Sequence, residues 1–254
     1  ISYSNASESF VFDVTEIEIT ENGKKFIGKK SGTATTENGI TIFAENFIYD
    51  KVNNILYANT NVKIKDTIKN IVIFSDKVTY LKNEEIIFSE NKSKAETDGL
   101  TIIAKSFTYK KNLNTFNAKG NVQIIDETNN YSGFGENVTY FKNGERIVSK
   151  GNTTANIKSK YKFSGRDITI LRDKNEMKSL FKAKLEDLKY TEYEFEEFIY
   201  FFKDEFLKAK NVSIISDNRL TEGETDRAKF LDGFFDLKNK SYDASDTAVK
   251  IKKN

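Results

Sequence analysis

The side chains that most often carry out catalysis are missing from this chain of 254 residues, which has no histidine and no cysteine. Their absence excludes a His general base, a Cys nucleophile, a Cys/His zinc site, an iron–sulfur cluster and any disulfide. The 40 Lys+Arg and 38 Asp+Glu leave a formal charge of +2, too balanced to attract nucleic acid. Carboxylate, hydroxyl, amide, ammonium and guanidinium groups remain as the polar side-chain groups available for chemistry.

One group of acids has a spacing that suits a metal ion. Glu192, Glu194 and Glu196 alternate with Tyr193 and Phe195, so a strand would hold three carboxylates on one face. Calcium takes oxygen ligands of this kind, but the solvated face of an amphipathic strand has the same pattern. Acids are also spread along the whole chain, so no pair stands out for glycoside hydrolysis. We therefore predict a protein without enzyme activity, catalytic residue, metal ligand or cofactor.

A period of about thirty residues organises the chain. Segments such as Phe107-Thr108-Tyr109, with apolar side chains at alternate positions, begin near residues 44, 75, 104, 135, 165 and 195, and further copies near 14 and 228 make eight units. Alternation of this kind predicts β-strands. In each unit a turn rich in Asn, Asp or Gly follows, and then a second strand-like stretch. Two strands in each of eight units predict about sixteen antiparallel strands in one domain over residues 1–254.

An asparagine recurs in the second stretch of most units. A strand bulge or sharp bend is predicted there, because Asn tolerates positive φ. The copy expected near residue 181 lacks it. The one helix candidate, residues 175–188, falls where the repeat places a turn and a strand, so we predict strand there. The recurring positions are Asn61, Asn91, Asn121, Asn152 and Asn211.

These repeats resemble the OstA-like family of lipopolysaccharide-transport proteins, to which LptA, LptC and the amino-terminal domain of LptD belong. The resemblance lies in phrases such as Ala104-Lys105-Ser106-Phe107-Thr108-Tyr109 and Ala118-Lys119-Gly120-Asn121-Val122, and it covers residues 11–252. The opening and closing segments are most similar to the periplasmic domain of LptD. Some members tether that domain to a barrel through disulfides, which a chain without cysteine cannot form.

The resemblance implies a twisted, V-shaped, open jelly roll with a passage for acyl chains between its arms. Alternation places two sets of apolar side chains at equivalent steps, and we predict that they line this groove. The first set is Phe47, Tyr49, Val78, Tyr80, Phe107, Tyr109, Val138, Tyr140, Ile168, Ile170, Phe198 and Tyr200. The second set is Val62, Ile64, Val122, Ile124, Val212 and Ile214.

The same resemblance implies partners at the two ends of the sheet. An unclosed sheet exposes unpaired backbone groups at its edges, which favours head-to-tail β-augmentation. We expect the strand around Val11, Phe12, Val14, Ile17 and Ile19 to receive an LptA-like protein. The far end, near residues 248–251, would pass lipopolysaccharide to the chain's own C-terminal barrel and an LptE-like lipoprotein. The location implied is the periplasm, attached to the outer membrane.

Two alternatives remain open at this stage. The alternatives to the LptD domain are LptA or LptC, which share the mechanism, and a structural β-solenoid that has a filled core and no cargo. It begins without methionine, so we expect a mature chain or a piece of a longer one. No run of 18 apolar residues is present to span a bilayer as a helix.

Overall fold

The computed structural model describes residues 10–216 and 226–250, and nearly all of them lie in β-strands. Nineteen strands are present in these ranges, and the strands pair antiparallel. The all-β antiparallel fold predicted from the sequence is therefore confirmed. The chain divides into two compact units, Ile1–Val122 and Gln123–Asn254. That residues 1–254 act as one domain stays a prediction, and Ile251 lies outside the described residues.

The strands are numbered in chain order. The first unit contains β1 (Val11–Thr20), β2 (Lys25–Thr35), β3 (Ile40–Ala44), β4 (Asn46–Asp50), β5 (Ile55–Asp66), β6 (Ile71–Leu81), β7 (Ile86–Thr97), β8 (Leu100–Lys110) and most of β9 (Thr115–Asp126). The second unit continues with β10 (Tyr131–Phe141), β11 (Arg146–Ile157), β12 (Tyr161–Leu171), β13 (Glu176–Ser179), β14 (Ala183–Asp187), β15 (Thr191–Phe201), β16 (Phe206–Ser216), β17 (Asp226–Asp236), β18 (Ser241–Ser245) and β19 (Ala248–Lys250). Short 3₁₀ turns lie at Glu21–Gly23, Lys111–Leu113 and Lys142–Gly144.

Three of the ladder positions are occupied by interrupted strands. β3 and β4 both pair with β2 on one side and β5 on the other. β13 and β14 likewise both pair with β12 and β15, and β18 and β19 both pair with β17. Each interrupted pair fills one position, so the described residues contain the sixteen ladder positions predicted from eight repeats.

A bulge in the middle of the long strands keeps both of their halves facing inward. In β6, Ile71 and Ile73 are buried before the bulge and Val78 and Tyr80 after it, so the buried positions change from odd to even numbers. The pairing of β6 with β5 and with β7 shifts register at this point. Side chains alternate across a strand with a period of two, and one extra residue restores the inward direction for the second half.

The recurring asparagines lie at register shifts of the neighbouring strands, such as β5, in which Leu56, Ala58, Val62 and Ile64 are buried with the same parity on both sides. Asn61, Asn91, Asn121 and Asn211 have φ between 48° and 62°, a left-handed conformation that Asn adopts more readily than most residues. Asn152 differs, because the preceding Gly151 has the positive φ of 83°. The predicted bulge is confirmed in both arrangements.

The copy near residue 181, which lacks the asparagine, is one of the interrupted ones. Between β13 and β14, residues 180–182 leave the ladder. The Ser179 hydroxyl donates a hydrogen bond to the Arg166 carbonyl at 2.9 Å and accepts one from the Phe181 N–H at 3.1 Å. The helix candidate at residues 175–188 is therefore two short strands and a bend, as the repeat predicted.

The turns also follow the repeat. Turns occupy residues 51–54, 82–85, 142–144 and 172–175, where Asn, Asp and Gly were expected to allow positive φ. Asn54, Glu85 and Asn175 have φ between 53° and 56°. No helix of the described residues is long and apolar enough to cross a membrane.

The left-handed bulge residue gives a stability test. We expect Asn91→Ala to lower the free energy of unfolding by about 1 kcal/mol, because alanine has no side chain to offset the left-handed backbone. Asn91→Gly should be tolerated. The matched control is Asn152→Ala, at the same repeat position but without positive φ, which should change stability by less than about 0.5 kcal/mol. Urea unfolding of the full chain measures all three, and equal losses at both sites would contradict this account.

Candidate functional site

The residues predicted to line a groove all belong to strands whose alternate side chains point inward. Seventeen of the eighteen are buried, none more than 3% exposed. Ile214 is half-buried. The structure thus brings the predicted side chains together as the core of each unit, where their neighbours are other side chains. That they line a passage for hydrocarbon stays a prediction.

In the first unit, strand pairing joins the predicted tyrosines into one row. Tyr49 lies opposite Leu56, which lies opposite Tyr80 on its other side. Tyr80 in turn lies opposite Ile87, and Ile87 opposite Tyr109. All five are buried. The intervening Leu56 and Ile87 were missed by sequence reasoning, although they recur at the same step of the second stretch of each unit.

The second unit repeats the arrangement with aliphatic side chains between the tyrosines. Its row runs through β10–β13 and β15–β17, and the members missed from the sequence are Ile147, Met177, Leu207 and Phe235. The complete row is Tyr140, Ile147, Ile170, Met177, Tyr200, Leu207 and Phe235. All seven are buried, so each unit has an uninterrupted apolar row.

A neighbouring row alternates large and small side chains. Phe47, Ala58, Val78, Ser89 and Phe107 lie opposite one another on β4 to β8, and none is more than 3% exposed. Large residues beside small ones interdigitate, which is how close-packed cores are built. The same alternation of large and small side chains occurs in the second unit at Val138, Ser149 and Ile168.

Aromatic rings fill the interior further. Phe10 lies 5.1 Å from Tyr49 and 5.8 Å from Tyr80, measured between ring centroids. Phe163 and Phe198, from different halves of their strands, lie 5.8 Å apart. Of the predicted residues, Phe198 borders a cavity of about 560 Å³ whose other walls include Leu180 and Phe181. Where these rings contact one another, the interior is filled by the protein's own side chains.

Polar side chains bridge the two sets of turns in the first unit. The tyrosine-side turns (82–85 and 111–114) follow the tyrosine row, and the opposite turns (36–39 and 67–70) lie at the other strand ends. The Tyr109 hydroxyl donates to Asp66 at 3.1 Å, and Lys111 Nζ donates to the Asn38 carbonyl at 3.0 Å. The Asn38 amide donates to Glu85 at 2.7 Å. We call these contacts the first clasp.

The second unit has a corresponding second clasp with more charge. Arg172 Nε donates to Asp126 at 3.0 Å and its guanidinium also contacts Glu145, and both Arg172 and Asp126 are buried. Glu205 accepts hydrogen bonds from Lys160 at 3.0 Å, from Tyr161 at 3.0 Å and from Lys158 at 3.2 Å. These contacts again join a tyrosine-side turn (172–175 or 202–205) to the opposite strand ends.

The clasps bridge strand ends that are far apart in sequence. Asp66 to Tyr109, Asp126 to Arg172 and Lys158 to Glu205 are separated by 43, 46 and 47 residues. This interval is about one and a half repeats. The side that the resemblance predicts to be open is therefore bridged at these points in each unit, and the V shape itself stays a prediction.

Burial and hydrogen bonding set the charge of the clasp residues and of Tyr80 in the tyrosine row. Burial raises the pKa of Tyr80 to about 12. Burial also raises the pKa of Tyr109, with Asp66 adding to the effect, so its hydroxyl stays protonated as a donor. For Glu205, burial alone would raise the pKa, but hydrogen bonds from Lys160, Tyr161 and Lys158 outweigh it and lower the pKa. Glu205 is therefore a carboxylate at neutral pH.

The acid triplet weighed as a calcium site lies on the outer face of β15. Each of its carboxylates has a partner of its own: Glu192 meets Lys184 at 2.5 Å, Glu194 meets Lys182 at 2.9 Å, and Glu196 accepts from the Asn211 amide at 3.1 Å. Within the described ranges no group of three acids converges on one point.

The predicted partner strand β1 is an edge of the first unit. Over the described residues its pairing is with β2. Val11, Ile17 and Ile19 are more than half exposed, while Phe12 and Val14 are half-buried. Its free side thus presents backbone groups and apolar side chains together, which is the combination that a further strand requires.

Comparisons with known proteins find little beyond this geometry. No family model matches the chain, and no curated protein matches it. Among solved structures the chain is similar to LptH of Pseudomonas aeruginosa, the LptA-homologous periplasmic component of its lipopolysaccharide transport device. The TM-score is 0.41 and the sequence identity 10%, over 46% of this chain and 94% of that chain.

The second clasp gives a pH prediction. The lowered pKa of Glu205 means that its carboxylate stabilises the fold above the unfolded value of 4.5, and that this stabilisation is lost as pH falls through the lower folded pKa. We expect Glu205→Gln to lose about 1–3 kcal/mol of unfolding free energy at pH 7. The difference from wild type should shrink below pH 4.5.

Urea unfolding at pH 7, 5, 4 and 3 measures this difference. The control is Glu136→Gln, at an exposed position, which should change stability little at any pH. A Glu205→Gln deficit that is the same at every pH would contradict the assigned role of the charge.

Proposed function

We propose that this chain is a non-enzymatic conduit for lipopolysaccharide, the periplasmic domain of an LptD-type assembly protein attached to the outer membrane. Its role would be to receive lipopolysaccharide from an LptA-like bridge and pass the acyl chains to an outer-membrane barrel. The observation that supports this proposal is the uninterrupted apolar row in each unit, built from one equivalent side chain per strand. It extends the repeat resemblance from sequence positions to a continuous inward-facing surface.

The physical need for such a surface follows from the cargo. Burying one methylene is worth about 0.8 kcal/mol, so an acyl chain of about a dozen carbons gains on the order of 10 kcal/mol on leaving water. Equivalent side chains at each step offer binding positions of similar depth. Cargo would then move along the row without a deep trap, while its sugar and phosphate groups stay in water.

Entry of an acyl chain would require the clasps to open. The Tyr109 hydroxyl at the end of the first row bonds to Asp66, and Tyr161, at the start of β12 and outside the second row, bonds to Glu205. The strand ends are therefore polar, and the depth of the interior is apolar. Each clasp is a small set of hydrogen bonds and ion pairs rather than a packed core. Such contacts contribute about 1–3 kcal/mol each, which the transfer of hydrocarbon from water offsets.

We expect partner proteins to bind at the two ends of the chain. The edge strand β1, with exposed Val11, Ile17 and Ile19, suits the last strand of an LptA-like protein. The end near β19 would face the barrel and an LptE-like lipoprotein. An LptA or LptC role uses the same interior and differs only in these neighbours.

A second candidate is a structural β-repeat without cargo. It is favoured by the close packing of the interior, in which Phe47, Ala58 and Val78 interdigitate and Phe10 covers Tyr49 and Tyr80. In this case the rows are simply the core, and the clasps seal it.

Photo-crosslinking separates the two candidates. We expect a benzophenone amino acid at Tyr80, Tyr109 or Tyr140 to capture lipopolysaccharide in cells, because these side chains lie in the apolar row. The matched controls are the adjacent Thr79, Thr108 and Thr139, which point to the outer face of the same strands. Capture is detected as a lipopolysaccharide-dependent mass shift of the protein.

The conduit requires capture from the three tyrosine positions and much less from the threonine positions. If folded protein carrying the probe at all three tyrosines captures nothing, the cargo-free candidate is correct. Equal capture from both faces would also contradict a conduit through the interior.

A further inference from the structure

The outer face of β5–β8 carries two rows of mostly apolar side chains. Strand pairing aligns Tyr57, Thr79, Phe88 and Thr108 across the four strands. One step toward the tyrosine-side turns, the pairing aligns Ile55, Leu81 and Ile86 in a second row, which ends at Lys110 on β8. We call these seven residues the outer apolar face: Ile55, Tyr57, Thr79, Leu81, Ile86, Phe88 and Thr108. Tyr57 and Phe88 are each 37% exposed, and the other five are half-buried.

This face is unusual for the chain, in which 31% of residues are charged. The equivalent row of the second unit contains Lys178 and Lys208, which lie on either side of Ile199. Contiguous apolar surface with a polar rim marks interaction sites more often than scattered exposed side chains do. The rim here is the ion pair between Lys77 and Glu90, at 3.1 Å and at least half exposed on both sides.

We propose that the outer apolar face docks on the same face of a second copy of this chain. Two sheets pack face to face with their strands nearly aligned. A twofold axis along the strands, midway between β6 and β7, places each strand over its mirror position: β6 over β7 and β5 over β8 of the other copy. Height along the strands is unchanged by this axis.

The side chains are complementary in size under that axis. Thr79 comes opposite Phe88 of the other copy, and Tyr57 comes opposite its Thr108, so each ring meets a small side chain. Leu81 comes opposite Ile86, and Ile55 comes opposite Lys110 at the corner of the face. The large residues therefore fill the gaps above the threonines rather than meeting one another.

Charges are complementary under the same axis. Lys77 on β6 comes opposite Glu90 on β7 of the other copy, and the reverse contact forms at the symmetric position. The exposed Lys77–Glu90 pair within one copy thus becomes a four-charge cluster of alternating sign at the rim. One axis matches the apolar side chains, apart from Ile55 opposite Lys110, and also the charged rim, which is the reason for choosing a second copy as the occupant.

The size of the face sets the strength of the contact. Four strands about 4.8 Å apart and three rows about 6.8 Å apart cover about 20 Å by 20 Å. Two copies would bury about 800–1,000 Å² in total, at the low end for a specific interface. We therefore expect a weak dimer that forms between about 10 µM and 1 mM protein.

Sedimentation equilibrium of the full chain over that concentration range tests the dimer. Phe88→Glu should abolish the concentration-dependent rise in mass, because it places a carboxylate against the apolar face of the other copy. The matched control is Phe134→Glu, an exposed phenylalanine in β10, which should leave the dimer intact. Circular dichroism confirms that each variant is folded.

A mixing experiment tests the axis itself. Lys77→Glu leaves two carboxylates on the rim and Glu90→Lys leaves two ammonium groups, so neither variant alone should dimerise. Mixed in equal amounts, they should form a heterodimer at wild-type concentrations, because the acidic rim of one faces the basic rim of the other. A role for Lys77–Glu90 confined to one copy predicts no such rescue.

Three results would overturn the proposal: a monomer throughout the range, a dimer that survives Phe88→Glu, or variants that fail to associate when mixed. A dimer that survives Phe88→Glu but is lost with Ile17→Glu would assign self-association to the edge strand β1 instead. These outcomes are independent of lipopolysaccharide binding, since no cargo is present.

Discussion

The fold depends on one geometric constraint, the change of side-chain parity at the strand bulge. A strand long enough to reach from one set of turns to the other cannot keep one face inward if it bends halfway, unless a residue is added at the bend. In β6 the extra residue lies between Ser75 and Val78, where the neighbouring β5 and β7 have their left-handed Asn61 and Asn91. Both halves of β6 bury their apolar side chains as a result, and the tyrosine row, the small–large row and the clasps all follow from strands folded in this way.

Much of this was predictable from the sequence because the repeat acts locally. The sixteen ladder positions, the turns and the bulge at Asn91 depend on residues within one unit and its nearest neighbour. Even the strand break after Ser179 coincides with the missing asparagine. The inward direction of Phe47 and Tyr80 was predictable for the same reason, since alternation decides the face of a strand.

The clasps were not predictable, because their partners lie one and a half repeats apart. Periodicity indicates which residues are equivalent, but it does not say which residues meet across the interior. Nothing in the phrase around Asp66 points to Tyr109, and Arg172 occupies a turn position where other units have lysine or phenylalanine. The packing of the interior was beyond the pattern as well, because alternation is the same for a filled core and for a lined passage. The small residues Ala58 and Ser89 indicate a filled core. This is apparent only once strand pairing places them beside Phe47 and Phe107.

The parity change at the bulge also bears on how such a chain can vary over generations. A single-residue insertion within a strand would turn half of it inside out, whereas a duplication of a whole unit would leave every other strand correctly facing. Variation in length should therefore accumulate in the turns, as the spacing of 29 to 31 residues between unit starts already suggests. An array of this kind can gain or lose whole repeats. Within a strand, however, its length is fixed by which side chains must face inward and which outward.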